Sequence, residues 1–274
     1  MITLTQVTFF SLMMTFLSLW IHRTAWLWGA FLVISYILAL HTGVAQPFSL
    51  IPVATLFVLF WALKKPITGT TRWVFILIAI ALGAGLNFHW IPGFHNLHIA
   101  GRFWLNYDKP FMGLFCLVFL LPLLRNPAGW YQMALKAIPL TAIAVIALAA
   151  LALSSGTVEW DLKLPSHALL RLTSNLFLVV IPEEAFFRGF VQEELFKGMG
   201  QGIKGTVIAI LGASLLFTLF HLGWTSSPAM LGFVFLASIL YGAIYQYTRA
   251  IESSILCHFA VNLLHMSLFT YHAA

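Results

Sequence analysis

Glu183 and Glu184 stand side by side in "VIPEEAFFRGFVQEEL", residues 180–195, a stretch that holds four of the eight acidic residues of the chain. Its surroundings are apolar. A carboxylate at the centre of a membrane costs about 2.5–3.5 kcal/mol on insertion scales, so such residues face a protein interior or a wet cavity and point to function. On an α-helix Glu184 and Arg188 are four residues apart and share a face in the favourable acid-first order. A guanidinium can grip a carboxylate there with two parallel bonds. Glu183 lies about 100° around the helix and is expected to lack that partner. One carboxylate would be scaffold, and the other would be placed to take a proton. Glu184 with Arg188 fits a purely structural ion pair equally well; an unpartnered Glu183 does not. Pro182 is expected to break the helix just before Glu183. Glu193 and Glu194, within a turn of Lys197, are expected to form a solvated helix end.

Two other apolar segments carry polar groups at helical spacing. "FTLFHLG" places His221 four residues after Phe217, and "CHFAVNLLH" places His258 and Asn262 on one face. An imidazole and an amide on one face can hold a water or a carbonyl oxygen. His265 lies nearly on the same face as a weaker, supporting candidate. Together these groups would supply a base within reach of water and donors where negative charge develops, which is what amide hydrolysis requires. A zinc site of Glu183, His221 and His258 with an open water position is the rival arrangement; the HExxH pattern is absent. Cys116 and Cys257 sit in apolar runs and are expected to be small buried residues. "GQGIKG" at 200–205 matches a dinucleotide-binding pattern in letters only, and is read as a turn.

The elements that position these groups follow from composition. The chain of 274 residues is 61% hydrophobic and 8% charged, against about 25% charged in a soluble domain. That excludes an ordinary water-soluble fold and predicts an all-α, polytopic integral membrane bundle of about ten spans, with eight as the lower bound. The spans fall near 2–21, 25–44, 47–63, 72–91, 110–124, 131–153, 167–197, 204–222, 229–248 and 252–272. The 110–124 span is short for a full crossing. Residues 92–109 mix aromatic, basic and polar side chains and suit a headgroup-level loop or short helix. No positive region precedes the first apolar run, so it is read as a retained helix. Basic residues are scattered singly, which argues for topogenic charge and against nucleic acid. Arg23, Lys64, Lys65, Arg72, Arg125, Lys136, Lys197, Lys204 and Arg249 would share one side; Arg102, Lys109, Lys163 and Arg171 would share the other. That bias puts both termini outside the cytoplasm. In this arrangement His221 and His258 approach opposite boundaries, so they can meet only if 222–229 dips inward or a span is broken.

The ordered set Glu183-Glu184-x-x-x-Arg188, Phe217-x-x-x-His221 and His258-x-x-x-Asn262 resembles the three motifs of the CAAX protease and bacteriocin-processing family of intramembrane endopeptidases. The resemblance covers about residues 131–272. It divides the chain into N-terminal spans, 1–130, without an assigned role, and a protease core, 131–274. It implies water-mediated proteolysis in the membrane without a metal cofactor: Glu183 as general base, His221 positioning the water, His258 and Asn262 stabilising the oxyanion, with Glu184, Arg188 and Phe217 supporting. The implied partners are membrane lipid and a peptide or protein substrate, possible forms being lipidated or membrane-anchored; the implied location is the plasma (inner) membrane of a prokaryote. A non-catalytic membrane protein, an immunity factor or a proton-coupled carrier, is the alternative. A carrier should show repeat symmetry, and the sequence shows none.

Overall fold

The structure, a computed structural model, describes residues 3–22, 24–101, 103–225 and 227–271; Arg23 and Arg102 lie outside the described residues. The all-α reading holds, with ten helices matching the ten predicted spans among the described residues. Seven are long and apolar enough to cross a membrane: Leu4–Ile21, Ala25–Thr42, Gly69–Asn87, Pro127–Ser154, Ile203–Phe220, Pro228–Thr248 and Ile251–Leu268. The chain is an integral membrane protein. It divides into two compact units, Met1–Leu123 with Thr173–Phe186, and Leu124–Leu172 with Phe187–Ala274.

In the first unit, Leu4–Ile21 begins with a capping box between Thr3 and Gln6 and packs along Ala25–Thr42, which ends on Gly43 at φ 74. Leu50–Leu63 and Gly69–Asn87 follow. The helix Phe111–Phe119 has only nine residues, apolar all round, and lies buried. It packs against Leu50–Leu63, Gly69–Asn87 and Ile181–Phe186, as an all-round apolar helix must. Residues 92–109 form neither a plain loop nor a helix. They contain an antiparallel hairpin, Leu97–Ala100 with Phe103–Leu105, in which His98 packs on Trp104 at 4.6 Å.

In the second unit, Pro127–Ser154 starts at an Asn126 cap with proline in its first turn, and Pro228–Thr248 repeats that pattern with Ser227. These two helices and Ile251–Leu268 pack mutually, and Ile203–Phe220 adds to Pro228–Thr248. Buried Glu252 accepts the Leu124 N–H at 2.7 Å, closing the start of the unit onto its last helix. Val158–Trp160 pairs with Phe269–Tyr271, and Asp161, directly after the first strand, accepts from the Thr270 hydroxyl of the second. The Thr270 hydroxyl and the Lys163 ammonium at Asp161 hold its carboxyl below the usual range. Residues 199–202 turn the chain into Ile203–Phe220, with Gly200 at φ 83, so only the first half of the 200–205 stretch is turn and residues 203–205 are already helix.

Residues 168–198 are helical without a break, but the winding alternates. Ala168–Ser174, Ile181–Phe186 and Glu193–Gly198 are α; Asn175–Val180 and Phe187–Gln192 are π. The expected break at Pro182 is therefore absent. Proline lacks the N–H for an i−4 bond and crowds that carbonyl; the wider π turn just before it accommodates the ring while the helix continues. Such π turns recur at functional sites.

Candidate functional site

Glu183 and Glu184 belong to the first unit and are buried, at 1% and 0% exposed. The segment is held by a backbone-to-backbone contact. A Cβ on Gly113 would stand 2.0 Å from the Pro182 carbonyl oxygen and 2.5 Å from its Cα, so only glycine fits. Gly83 does the same for the Phe186 ring, 2.7 Å from a notional Cβ. Glu183 is not left without a cation. The Lys109 ammonium lies 2.5 Å from its Oε1, and the two side chains are 16% and 2% exposed. Lys109 lies two residues before the buried Phe111–Phe119 helix, ahead of its Pro110 cap, at a turn tied by the neighbouring carboxylate. Asp108 Oδ1 accepts the Lys109 backbone N–H at 2.9 Å, and its Oδ2 accepts from His89 Nδ1 at 2.6 Å.

The second unit gathers Arg188, Phe217, His221 and His258. Phe217 is the common neighbour. Its ring lies 4.4 Å from His221 and 5.7 Å from His258, and the Arg188 guanidinium carbon sits 4.8 Å over it. Tyr241 stacks on His258 at 4.7 Å and 14°, and also faces Arg188 at 5.5 Å. Arg188 donates to the Ser238 hydroxyl at 3.1 Å. One turn on, Gln192 donates to the Gly242 carbonyl at 3.0 Å. These two polar rungs join Phe187–Gln192 to Pro228–Thr248, as interhelical hydrogen bonds do in membranes. Cation–π contact over two rings adds about 0.5–2 kcal/mol per face.

His221 caps the end of Ile203–Phe220, and its Nδ1 donates to the Phe217 carbonyl at 2.8 Å. In the neutral ring the proton-accepting nitrogen is then Nε2. The chain turns at once after it, with Trp224 N–H bonded to the His221 carbonyl at 2.9 Å. This removes the difficulty of opposite boundaries, since His221 and His258 both reach Phe217. His258 is buried at 4% exposed, and Asn262 follows one turn later on the same helix, half-buried. His265 meets Trp224 at 6.1 Å, and Trp224 meets His221 at 6.3 Å.

Three expectations change. Glu183 has a cation, Lys109, which the sequence assigned to a loop. Glu194 is buried at 5% exposed, so the Glu193–Glu194 end is only partly solvated; Lys197 lies 3.5 Å from Glu194, and Arg249 grips Glu193 at 2.9 Å. Arg188 falls in a π turn, so the α spacing assumed from Glu184 to Arg188 does not describe it. Cys116 and Cys257 are buried free thiols, as expected. Reasoning from sequence also missed Tyr241 and Ser238, which no motif spacing singles out, and Trp224, three residues past His221.

These features define a polytopic helical membrane protein with a histidine-, arginine- and aromatic-lined cluster. Residues 165–264 match the family model described as type II CAAX prenyl endopeptidase Rce1-like, in keeping with the resemblance carried by the motifs. Glu183, Glu184, Arg188, Phe217, His221, His258 and Asn262 all fall inside the match; Lys109 falls outside it. No curated protein and no solved structure matches the chain.

Proposed function

We propose that the protein is an intramembrane endopeptidase that hydrolyses a peptide bond with water activated by Glu183. His221 positions that water, and His258 and Asn262 stabilise the developing oxyanion. The observation that carries the reading is the family match over residues 165–264, the range in which the seven motif residues lie. The chemistry of the second unit supports it. His221 has its tautomer set by a backbone carbonyl, and His258 is fixed between Tyr241 and Phe217. Fixed donors in a medium of low dielectric stabilise an oxyanion without reorganising. Glu184, Arg188 and Phe217 act as scaffold. The substrate is a lipidated or membrane-anchored peptide.

Glutamate catalysis without metal is the favoured version, because the HExxH pattern of helical zinc proteases is missing and the resemblance implies none. Purified protein in liposomes tests both points. The reporters are a farnesylated peptide with a CAAX end and a single-span membrane peptide without a lipid. Cleavage of either, unaffected by a zinc chelator, is the expected result. Loss of cleavage on chelation and recovery with zinc supports the metal version with Glu183, His221 and His258 as ligands. Failure to cut either reporter contradicts proteolysis.

A further inference from the structure

Lys109 sits where a lysine has reason not to be. Near a membrane boundary a lysine ordinarily extends its stem toward water and keeps its head hydrated. This one turns inward, 16% exposed, and places its ammonium against Glu183 Oε1. Two neighbouring contacts fix it there. Gly113, one helical turn further on, lets the backbone meet Pro182, the residue before Glu183. Asp108, buried at 1% exposed, ties the Lys109 backbone N–H and is itself bonded by His89. The pairs 113–182 and 109–183 thus align the same two segments.

We propose that Lys109, supplied by the N-terminal unit and lying outside the family segment, is the positioning residue that orients the Glu183 carboxylate for proton abstraction. The proposal rests on the proteolytic reading above. An ammonium on Oε1 fixes the plane of the carboxylate and directs proton acceptance to Oε2. Orientation of this kind matters, since a misplacement of about 1 Å costs on the order of a hundredfold in rate. The N-terminal spans therefore take part in catalysis by holding one charged side chain on the base.

The test uses the full chain in liposomes and whichever of the two reporters the parent cuts. Lys109→Met should lower kcat by about tenfold to a hundredfold with KM within about twofold, and Lys109→Arg should restore most of the rate. Lys109→Met that cuts at the parent rate or faster overturns the proposal, as does an effect on KM alone. A Glu183→Gln protein that remains active overturns the functional reading instead, so the two failures are distinguishable. A parent chain inert on both reporters removes both. A membrane-permeant carbodiimide supplies a readout independent of turnover. It should join Lys109 to Glu183 through an amide detectable by mass spectrometry. A Lys197–Glu193 link without a Lys109–Glu183 link contradicts the pairing.

Discussion

Arg188 ends on the Ser238 hydroxyl and lies over the rings of Phe217 and Tyr241, and lysine cannot do all three. Its ammonium is a compact point charge, while the guanidinium is a flat donor array that stacks. Arg188→Lys should therefore lower stability by about 1–3 kcal/mol, read as an earlier thermal transition in detergent, while Ser238→Ala should cost less. A variant as stable as the parent contradicts the cluster. At this scale the motif residues were legible because their types are rare in an apolar chain: a buried carboxylate or imidazole marks itself. Tyr241 was not legible, since one aromatic among many in a membrane helix carries no signal. Lys109 was not legible either, because an isolated lysine before a short apolar run reads as a loop charge until a fold brings it to Glu183.

The helix over 168–198 shows what spacing rules miss at the level of an element. Its length and apolar character were evident, but the two π turns depend on how Pro182 and the neighbouring helices are accommodated. The closest approach is at Gly113, where the Phe111–Phe119 helix meets Pro182 backbone to backbone. Gly113→Ala must push the two segments apart. It should destabilise by about 1–3 kcal/mol or more, the range for overpacking, and should slow cleavage as well, because Glu183 follows Pro182. Gly156→Ala is the control: its left-handed φ of 67 brings some strain, but nothing lies within 4 Å of its notional Cβ. It should leave the cleavage rate unchanged. Equal loss of cleavage in both would contradict the role given to the 113–182 contact.

For the molecule as a whole, hydropathy alone predicted ten membrane helices and their order, since burial in lipid demands long apolar runs with internally satisfied backbones. What it left open is how many of them cross. Nine residues in Phe111–Phe119 rise about 14 Å, under half of a hydrocarbon core of about 30 Å. Termini on one side require an even number of crossings, so that reading depends on residues 120–126 completing the passage. Reporter fusions at the two ends should report the same, non-cytoplasmic side; opposite sides would show that the short helix turns back. The proposed catalytic role of the chain rests on one carboxylate. The most direct measurement is therefore the cleavage rate of Glu183→Gln beside the parent in the same liposomes, with matched thermal transitions. The account predicts a rate at the background of protein-free vesicles. A correctly folded Glu183→Gln protein that cuts as fast as the parent would contradict it.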